Sequence, residues 1–176
     1  MNQIKQIFLS LILALIPVLS FAESDIDVFE KAKEFHKNED YGSVLMLILP
    51  LVERDYPNAI NLLGIMYDDG NGVELNDHRA VELFSRAHTL GYLAATVNLG
   101  LMYEWGEGVK IDYMRAKELY LTAHEKHFPG GTFHLAEIFY YGIGIEPNQK
   151  KALNLFQALP FESCLKGMIL LMSCFA

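Results

Sequence analysis

The chain has 176 residues, which is enough for one domain of ordinary size, and 52% of them are hydrophobic. Its 22 acidic residues outnumber its 14 basic residues, giving a formal net charge of −8 at pH 7. This balance argues against nucleic acid and anionic membrane surfaces as partners, because both are bound by clusters of lysine and arginine.

Residues 1–22 have the pattern of a secretory signal peptide. A polar start with one cation precedes the apolar run 7–19, which is shorter than the about 20 residues needed to span a bilayer. The small residues Ser20 and Ala22 predict cleavage after Ala22. We therefore expect export to the periplasm or the medium, with no stable membrane span after cleavage. An uncleaved membrane anchor is the alternative.

Residues 23–58 are predicted to form an N-terminal helix pair. The first helix would cover 28–36, with Ser24 or Asp25 as its N-cap. The second contains Pro50, which removes one backbone donor and should either bend the helix or mark its start.

An internal repeat follows this pair. The stretch LGIMYDDGNGVELNDHRAVELFSRAH at 63–88 returns 36 residues later as LGLMYEWGEGVKIDYMRAKELYLTAH at 99–124. The frame continues without a gap into a third copy, where Ala136 replaces the first glycine. This self-similarity predicts three units, at 59–94, 95–130 and 131–166.

Each unit is predicted to contain two helices. In the first unit, Ala59, Leu63 and Met66 form an apolar stripe on a helix that Gly70 should end in the left-handed conformation. The N-caps of the second helices are predicted at Asn76, Asp112 and Asn148.

The small and large residues of the repeat explain how the units would pack. Gly64 and Ala80 allow a neighbouring helix to approach closely, and Phe84 fills the space beside them. One helix pair buries too little apolar surface to fold alone, whereas stacked pairs cover one another. The predicted fold is all-α, a right-handed superhelical solenoid of antiparallel helix pairs.

The repeated motif LG.MY..G.GV..D/N...A.E.....A resembles the Sel-one-like repeat (SLR) family, a relative of the tetratricopeptide repeat. The resemblance covers essentially all of the chain after residue 22. The stretch 41–64, with its Pro50-Leu51 pair, is similar to the opening of exported bacterial members. The resemblance implies a helical solenoid that binds proteins or peptides, often at a cell envelope or host interface.

Two segments depart from the family pattern. Pro129 and the two glycines after it suggest a looser joint between the second and third units. Residues 167–176, GMILLMSCFA, look like the first helix of a fourth unit, either truncated or acting as a cap. This apolar segment would pack on the third unit or bury itself against another chain, including a second copy.

The two cysteines, Cys164 and Cys174, raise the question of a disulfide. On one continuous helix their Cα atoms would be about 15 Å apart, whereas a bridge needs about 7 Å or less. A bridge therefore requires a turn between them, and the alternative is two buried thiols.

Sites for metals, phosphates and catalysis were weighed against packing roles. The Gly-x-Gly pairs follow helices rather than strands, which favours turns over phosphate loops. His124, His127 and His134 could supply zinc ligands, but the match of His124 to His88 favours a packing or surface role. We therefore predict no metal and no cofactor.

Catalysis is not favoured by the motifs. The chain has no Gly-x-Ser-x-Gly elbow. Some cysteine-rich exported SLR proteins are linked to β-lactam hydrolysis, so an envelope hydrolase acting on a β-lactam or a cell-wall fragment is the alternative function.

Positions that change between units are candidates for partner contact. In superhelices of this kind the first helices line the concave side, and these varying positions would form a groove that runs from acidic to aromatic. The predicted binding residues are Asn61, Asp68, Asp69, Val97, Leu101, Glu104, Trp105, Phe133, Glu137 and Tyr141. The partner would be a protein or peptide, with Trp105 as an anchor and Asp68, Asp69 and Glu104 favouring cationic segments.

Overall fold

The structure, a computed structural model, describes residues 23–159. Within that range it contains eight α-helices and no strand, which confirms the predicted all-α fold. The helices are α1 (Asp25–Lys37), α2 (Tyr41–Glu53), α3 (Pro57–Asp69), α4 (Asp77–Thr89), α5 (Leu93–Trp105), α6 (Tyr113–Glu125), α7 (Pro129–Tyr141) and α8 (Gln149–Gln157).

Several predictions fall outside the described residues. They are the signal peptide at 1–22, the state of Cys164 and Cys174, the end of the third unit and the helix at 167–176. Among residues 23–159, no helix has both the length and the apolar character that crossing a bilayer requires.

The helices form a linear stack in which each helix packs against the next along the chain. The largest buried cluster runs from Phe29 in α1 to Leu119 in α6, so successive pairs share one interior. Two smaller clusters continue through α7 and α8. This arrangement is the one expected when single pairs cannot bury enough apolar surface by themselves.

The predicted N-caps are confirmed. Asn76 accepts a hydrogen bond from the backbone N–H of Arg79 at 3.0 Å. Asp112 and Asn148 do the same for the residues three positions later, each at 2.9 Å. These bonds satisfy backbone donors that the first turn of a helix leaves without an intrahelical partner.

The first glycine of each Gly-x-Gly pair ends a first helix, as predicted for Gly70. Gly70 has φ +70°, and its N–H donates to the carbonyl of Met66. The left-handed conformation costs little only where the residue lacks a Cβ. The same cap recurs at Gly106 and Gly142.

The second glycine of each pair joins neighbouring units. A Cβ on Gly108 would collide with the backbone of Asp77, the first residue of α4. Equivalent approaches bring Gly72 to Tyr41 and Gly144 to Tyr113. Each turn therefore rests on the start of the second helix in the preceding pair, which explains why both glycines of the motif repeat.

Inside a unit, the two helices meet at a small residue and an aromatic ring, as predicted. A Cβ on Gly64 would lie 2.7 Å from the ring of Phe84. Gly100 approaches the ring of Tyr120 in the same way. In the third unit Ala136 and Phe156 are both fully buried, so an alanine is accommodated at this position.

The expectation of a looser joint before the third unit was wrong. The N–H of Phe128 donates to the carbonyl of Ala123 at 3.0 Å, as that of Tyr92 does to Ala87 at the preceding joint. His127 adopts a φ of +58° where the preceding joint has Gly91 at +84°. A histidine in the left-handed region thus reproduces the same turn.

Two of the four prolines within residues 23–159 mark helix starts. Pro57 and Pro129 begin α3 and α7, where proline has no hydrogen bond to lose and φ is already suitable. Pro50 instead lies inside α2, within its last turn, so it does not mark a start.

Candidate protein-binding surface

The ten predicted binding residues all lie on α3, α5 and α7, the first helices of the three units. We call this set of ten residues the first-helix face. Helices α5 and α7 contact each other directly, although a second helix separates them along the chain. The structure therefore brings residues from different units side by side, but their exposure differs widely.

Two of the ten residues were wrongly expected to be open to a partner. Asn61 is 7% exposed and Val97 is 6% exposed. The Asn61 side-chain oxygen accepts a hydrogen bond from Asn98 at 2.9 Å, which links α3 to α5. This position is buried because successive first helices pack against each other there, so its variation reflects interior packing.

The last residues of the three first helices are the exposed ones. Asp69 ends α3, Trp105 ends α5 and Tyr141 ends α7. The Trp105 side chain is 59% exposed and that of Tyr141 is 51% exposed. More than half of each of these two side chains is therefore accessible to solvent.

A polar cluster occupies the same face between α5, α6 and α7. Tyr120, which is fully buried, donates its hydroxyl to Glu104 at 2.9 Å. Its ring stacks on His134, whose Nδ1 lies 2.9 Å from Glu137. Burial is the main cause that raises the pKa of Tyr120 far above its ordinary value, with further contributions from Glu104 and Glu137.

Glu104 and Glu137 are thus engaged with neighbours of the same molecule rather than with each other. Leu101 and Phe133 are partly buried and pack against the interior. The Phe133 ring meets that of Phe156 edge-on at 5.7 Å. The middle of the first-helix face is therefore a well-packed surface with few side chains that extend into solvent.

The acidic end of the face carries concentrated negative charge. Burial, together with the nearby carboxylates of Glu107, Asp69 and Asp77, raises the pKa of Asp68 to about 6. Asp68 and Asp69 also lie at the C-terminus of α3, where the helix dipole disfavours anions. Local folding preferences do not account for acids at this place.

The three histidines considered as zinc ligands do not converge. The Nδ1 of His124 lies 2.9 Å from the hydroxyl of Thr132 at the start of the next helix. The equivalent pair, His88 and Thr96, has the same distance one unit earlier. Across residues 23–159, no three metal-binding side chains come close enough together to hold an ion.

A pocket of about 220 Å³ lies away from this face, at the joint between the second and third units. Its walls are His124, His127, Pro129, Thr132, Ala158 and Leu159. The last of these residues is also the last one that the structure describes. Nothing among residues 23–159 supports the hydrolase alternative.

Sequence reasoning missed several exposed apolar residues in the turns. Leu75 is 60% exposed and Ile111 is 54% exposed. Both lie two residues after the valine of the Gly-x-Gly-Val motif, at equivalent positions of successive repeats. This equivalence was the signal in the sequence that could have identified them.

The fold and this face define an α/α solenoid scaffold of the kind that mediates protein interactions. Family comparison identifies three Sel1 repeats, at residues 57–92, 93–126 and 130–158, which together cover more than half of the chain. The chain belongs to the Sel1 repeat family.

Two solved structures have a similar fold. A Sel1 repeat protein from Oxalobacter formigenes is similar with a TM-score of 0.65 and 30% identity, over 73% of this chain and 53% of that chain. The protein c5321, a protective antigen of uropathogenic Escherichia coli with an SLR fold, has a TM-score of 0.67 and 23% identity. That match covers 82% of this chain and 32% of the antigen.

The chain therefore spans about half and about a third of the lengths of these two proteins. Among curated proteins, none matches the sequence significantly.

Proposed function

We propose that this chain is an exported repeat scaffold that binds a segment of another protein through its first-helix face, at the cell envelope or a host interface. The scaffold acts by recognition, without a catalytic step, a metal or a cofactor. The signal-peptide pattern of residues 1–22 supports export, and membership of the Sel1 repeat family supports a role in protein interaction.

The exposure of Trp105 is the observation that carries this proposal. A tryptophan that is 59% exposed contributes little to the interior of its own molecule. Tryptophan and tyrosine are also the residues that most often anchor protein interfaces. Asp69 and Asp68 lie at the end of the neighbouring first helix, and their charge favours cationic partners.

Replacement of Trp105 tests the proposal. We expect Trp105→Ala to abolish capture of the partner in a pull-down with the full chain as bait. The free energy of unfolding should change by no more than about 0.5 kcal/mol, as is usual at exposed positions. Met46→Ala is the matched control, because Met46 is 79% exposed on the outer helix α2.

Two results would contradict the proposal. Capture that survives W105A would remove the anchor from the binding surface. A large loss of thermal stability in W105A would instead show that this side chain belongs to the interior.

Export has its own test. If a signal peptidase removes residues 1–22 during export, the protein recovered outside the cytoplasm should begin at Glu23, as read by amino-terminal sequencing. Recovery of the protein only in the cytoplasm, starting at Met1, would contradict export without bearing on the binding surface.

A further inference from the structure

The turns between first and second helices form one edge of the stack. We call residues 69–77, 105–113 and 141–149 the loop edge. The approach of Gly108 to Asp77, and of Gly144 to Tyr113, seats each turn on the preceding unit. The loop edge is therefore a continuous surface rather than three separate turns.

This edge is rich in exposed apolar side chains. Beyond Trp105 and Tyr141, it exposes Leu75, Ile111 and Tyr113, which are 60%, 54% and 38% accessible. Soluble proteins expose single apolar residues routinely, but a run of them along one edge is typical of an interaction surface.

The same edge is strongly acidic. The three ranges contain six acidic residues and one basic residue, Lys110. In the described part of the chain, none of these six acids forms an ion pair, whereas Asp55 at the opposite edge is paired with Arg86. The turns of that opposite edge, 53–57, 89–93 and 125–129, are nearly balanced, with three acidic and two basic residues.

Part of this acidity has a structural role, and part does not. Asp112 caps α6, and Asp77 lies in the first turn of α4, where the helix dipole favours an anion. Asp69 and Glu107 have no such benefit, and both raise the pKa of half-buried Asp68. A bound cation would offset this repulsion, so the charge complements a basic partner.

We propose that the loop edge docks an extended protein segment that carries both basic and apolar side chains. Its apolar side chains would cover Trp105 and Ile111, and its basic side chains would lie over Asp69 and Glu107. With packed helices on the order of 10 Å apart and about 3.3 Å per extended residue, about six residues would cross the three turns.

This inference rests on the proposed function and moves its centre from the middle of the first-helix face to the edge. The middle is occupied by packed or internally bonded side chains such as Phe133 and Glu137. The edge supplies the accessible apolar area and the unbalanced charge that recognition of a cationic segment requires.

The chain contains a single tryptophan, so emission from Trp105 reports directly on the edge. The probe is a short synthetic peptide of alternating lysine and leucine, titrated into the full chain. Emission should shift to the blue and saturate, because the peptide removes the indole from water. A peptide of alternating glutamate and leucine should produce no shift. Rising salt concentration should weaken binding of the lysine peptide.

Charge variants locate the binding. Glu107→Gln should weaken binding of the lysine peptide about threefold, as expected for one charge pair at a surface. The control Glu82→Gln removes the same charge from the outer helix α4 and should leave the affinity unchanged. Glu137→Gln, in the middle of the first-helix face, should also leave it unchanged.

The outcomes separate the two proposals. Weakening by E137Q but not by E107Q would overturn docking at the edge and leave recognition by the first-helix face intact. Equal shifts with both peptides, or no shift with either, would also overturn the inference. The partner-capture experiment with W105A tests the proposed function independently of these peptides.

Discussion

Asp68 shows how a single residue can oppose the stability of the fold that contains it. Its carboxyl is half-buried, lies at the C-terminus of α3 and has three other carboxylates nearby. Its pKa in the folded state is about 6, against 3.8 as the ordinary value. The folded protein therefore holds this proton more tightly than the unfolded chain does, and ionisation of Asp68 destabilises the fold.

The sign of this effect gives a prediction for pH. The stabilising contribution of protonated Asp68 is fully present below about pH 4 and is lost as the pH rises through about 6. Asp68→Asn should therefore raise the free energy of unfolding by about 1 kcal/mol at pH 8, a value that is reduced to allow for solvent screening. At pH 4 the same substitution should change the free energy of unfolding little. Thermal melts at the two pH values measure this difference.

The exposed neighbour provides the control for that experiment. Asp69→Asn removes the same charge, but from a side chain that is well solvated, so its effect at pH 8 should be smaller. A loss of stability in D68N at pH 8 would contradict the account. It would mean that the Asp68 carboxylate makes a favourable contact.

Individual residues also show what the sequence could and could not predict. The caps at Asn76 and Gly70 were predictable because they depend on bonds within a few residues. The burial of Asn61 and Val97 was not, because it depends on contact between helices 36 residues apart. The expectation of a looser joint at Pro129 was wrong because the sequence does not show that His127 takes the φ of a glycine.

At the scale of elements, the turns do more than connect helices. Each Gly-x-Gly turn ends a first helix with its first glycine and contacts the preceding pair with its second. The motif therefore sets both the length of a unit and the spacing between units. The repeat predicted the helices and their order, while the contact made by the second glycine became visible only in three dimensions.

Two glycines with positive φ separate backbone strain from packing between units. Gly91→Ala should lower the free energy of unfolding by about 1 kcal/mol, because the residue has a φ of +84°. Packing should add nothing to this loss, since no atom lies within 4 Å of the added Cβ. Gly108→Ala should cost clearly more, because its Cβ would also collide with the backbone of Asp77. Chemical denaturation of the two variants gives the comparison, and equal costs would contradict the proposed contact between turns.

At the scale of the whole molecule, the stacking of helix pairs provides both the stability of the fold and the surface proposed for recognition. The shared interior, which runs from α1 to α6 and continues beyond, leaves α3, α5 and α7 with an accessible face and a continuous loop edge. The family resemblance predicted the solenoid and its use in protein interaction. It could not show which edge carries accessible apolar area, since that depends on how far each side chain is covered.

The central claim is that no helix pair persists without its neighbours, so the surface exists only in the stack. Circular dichroism of an isolated peptide of residues 57–92 tests this claim most directly. The account predicts weak helicity and no cooperative thermal transition, while the full chain gives a strong helical signal and a cooperative melt. A cooperative transition in the isolated unit, or a mainly β signal from the full chain, would contradict it.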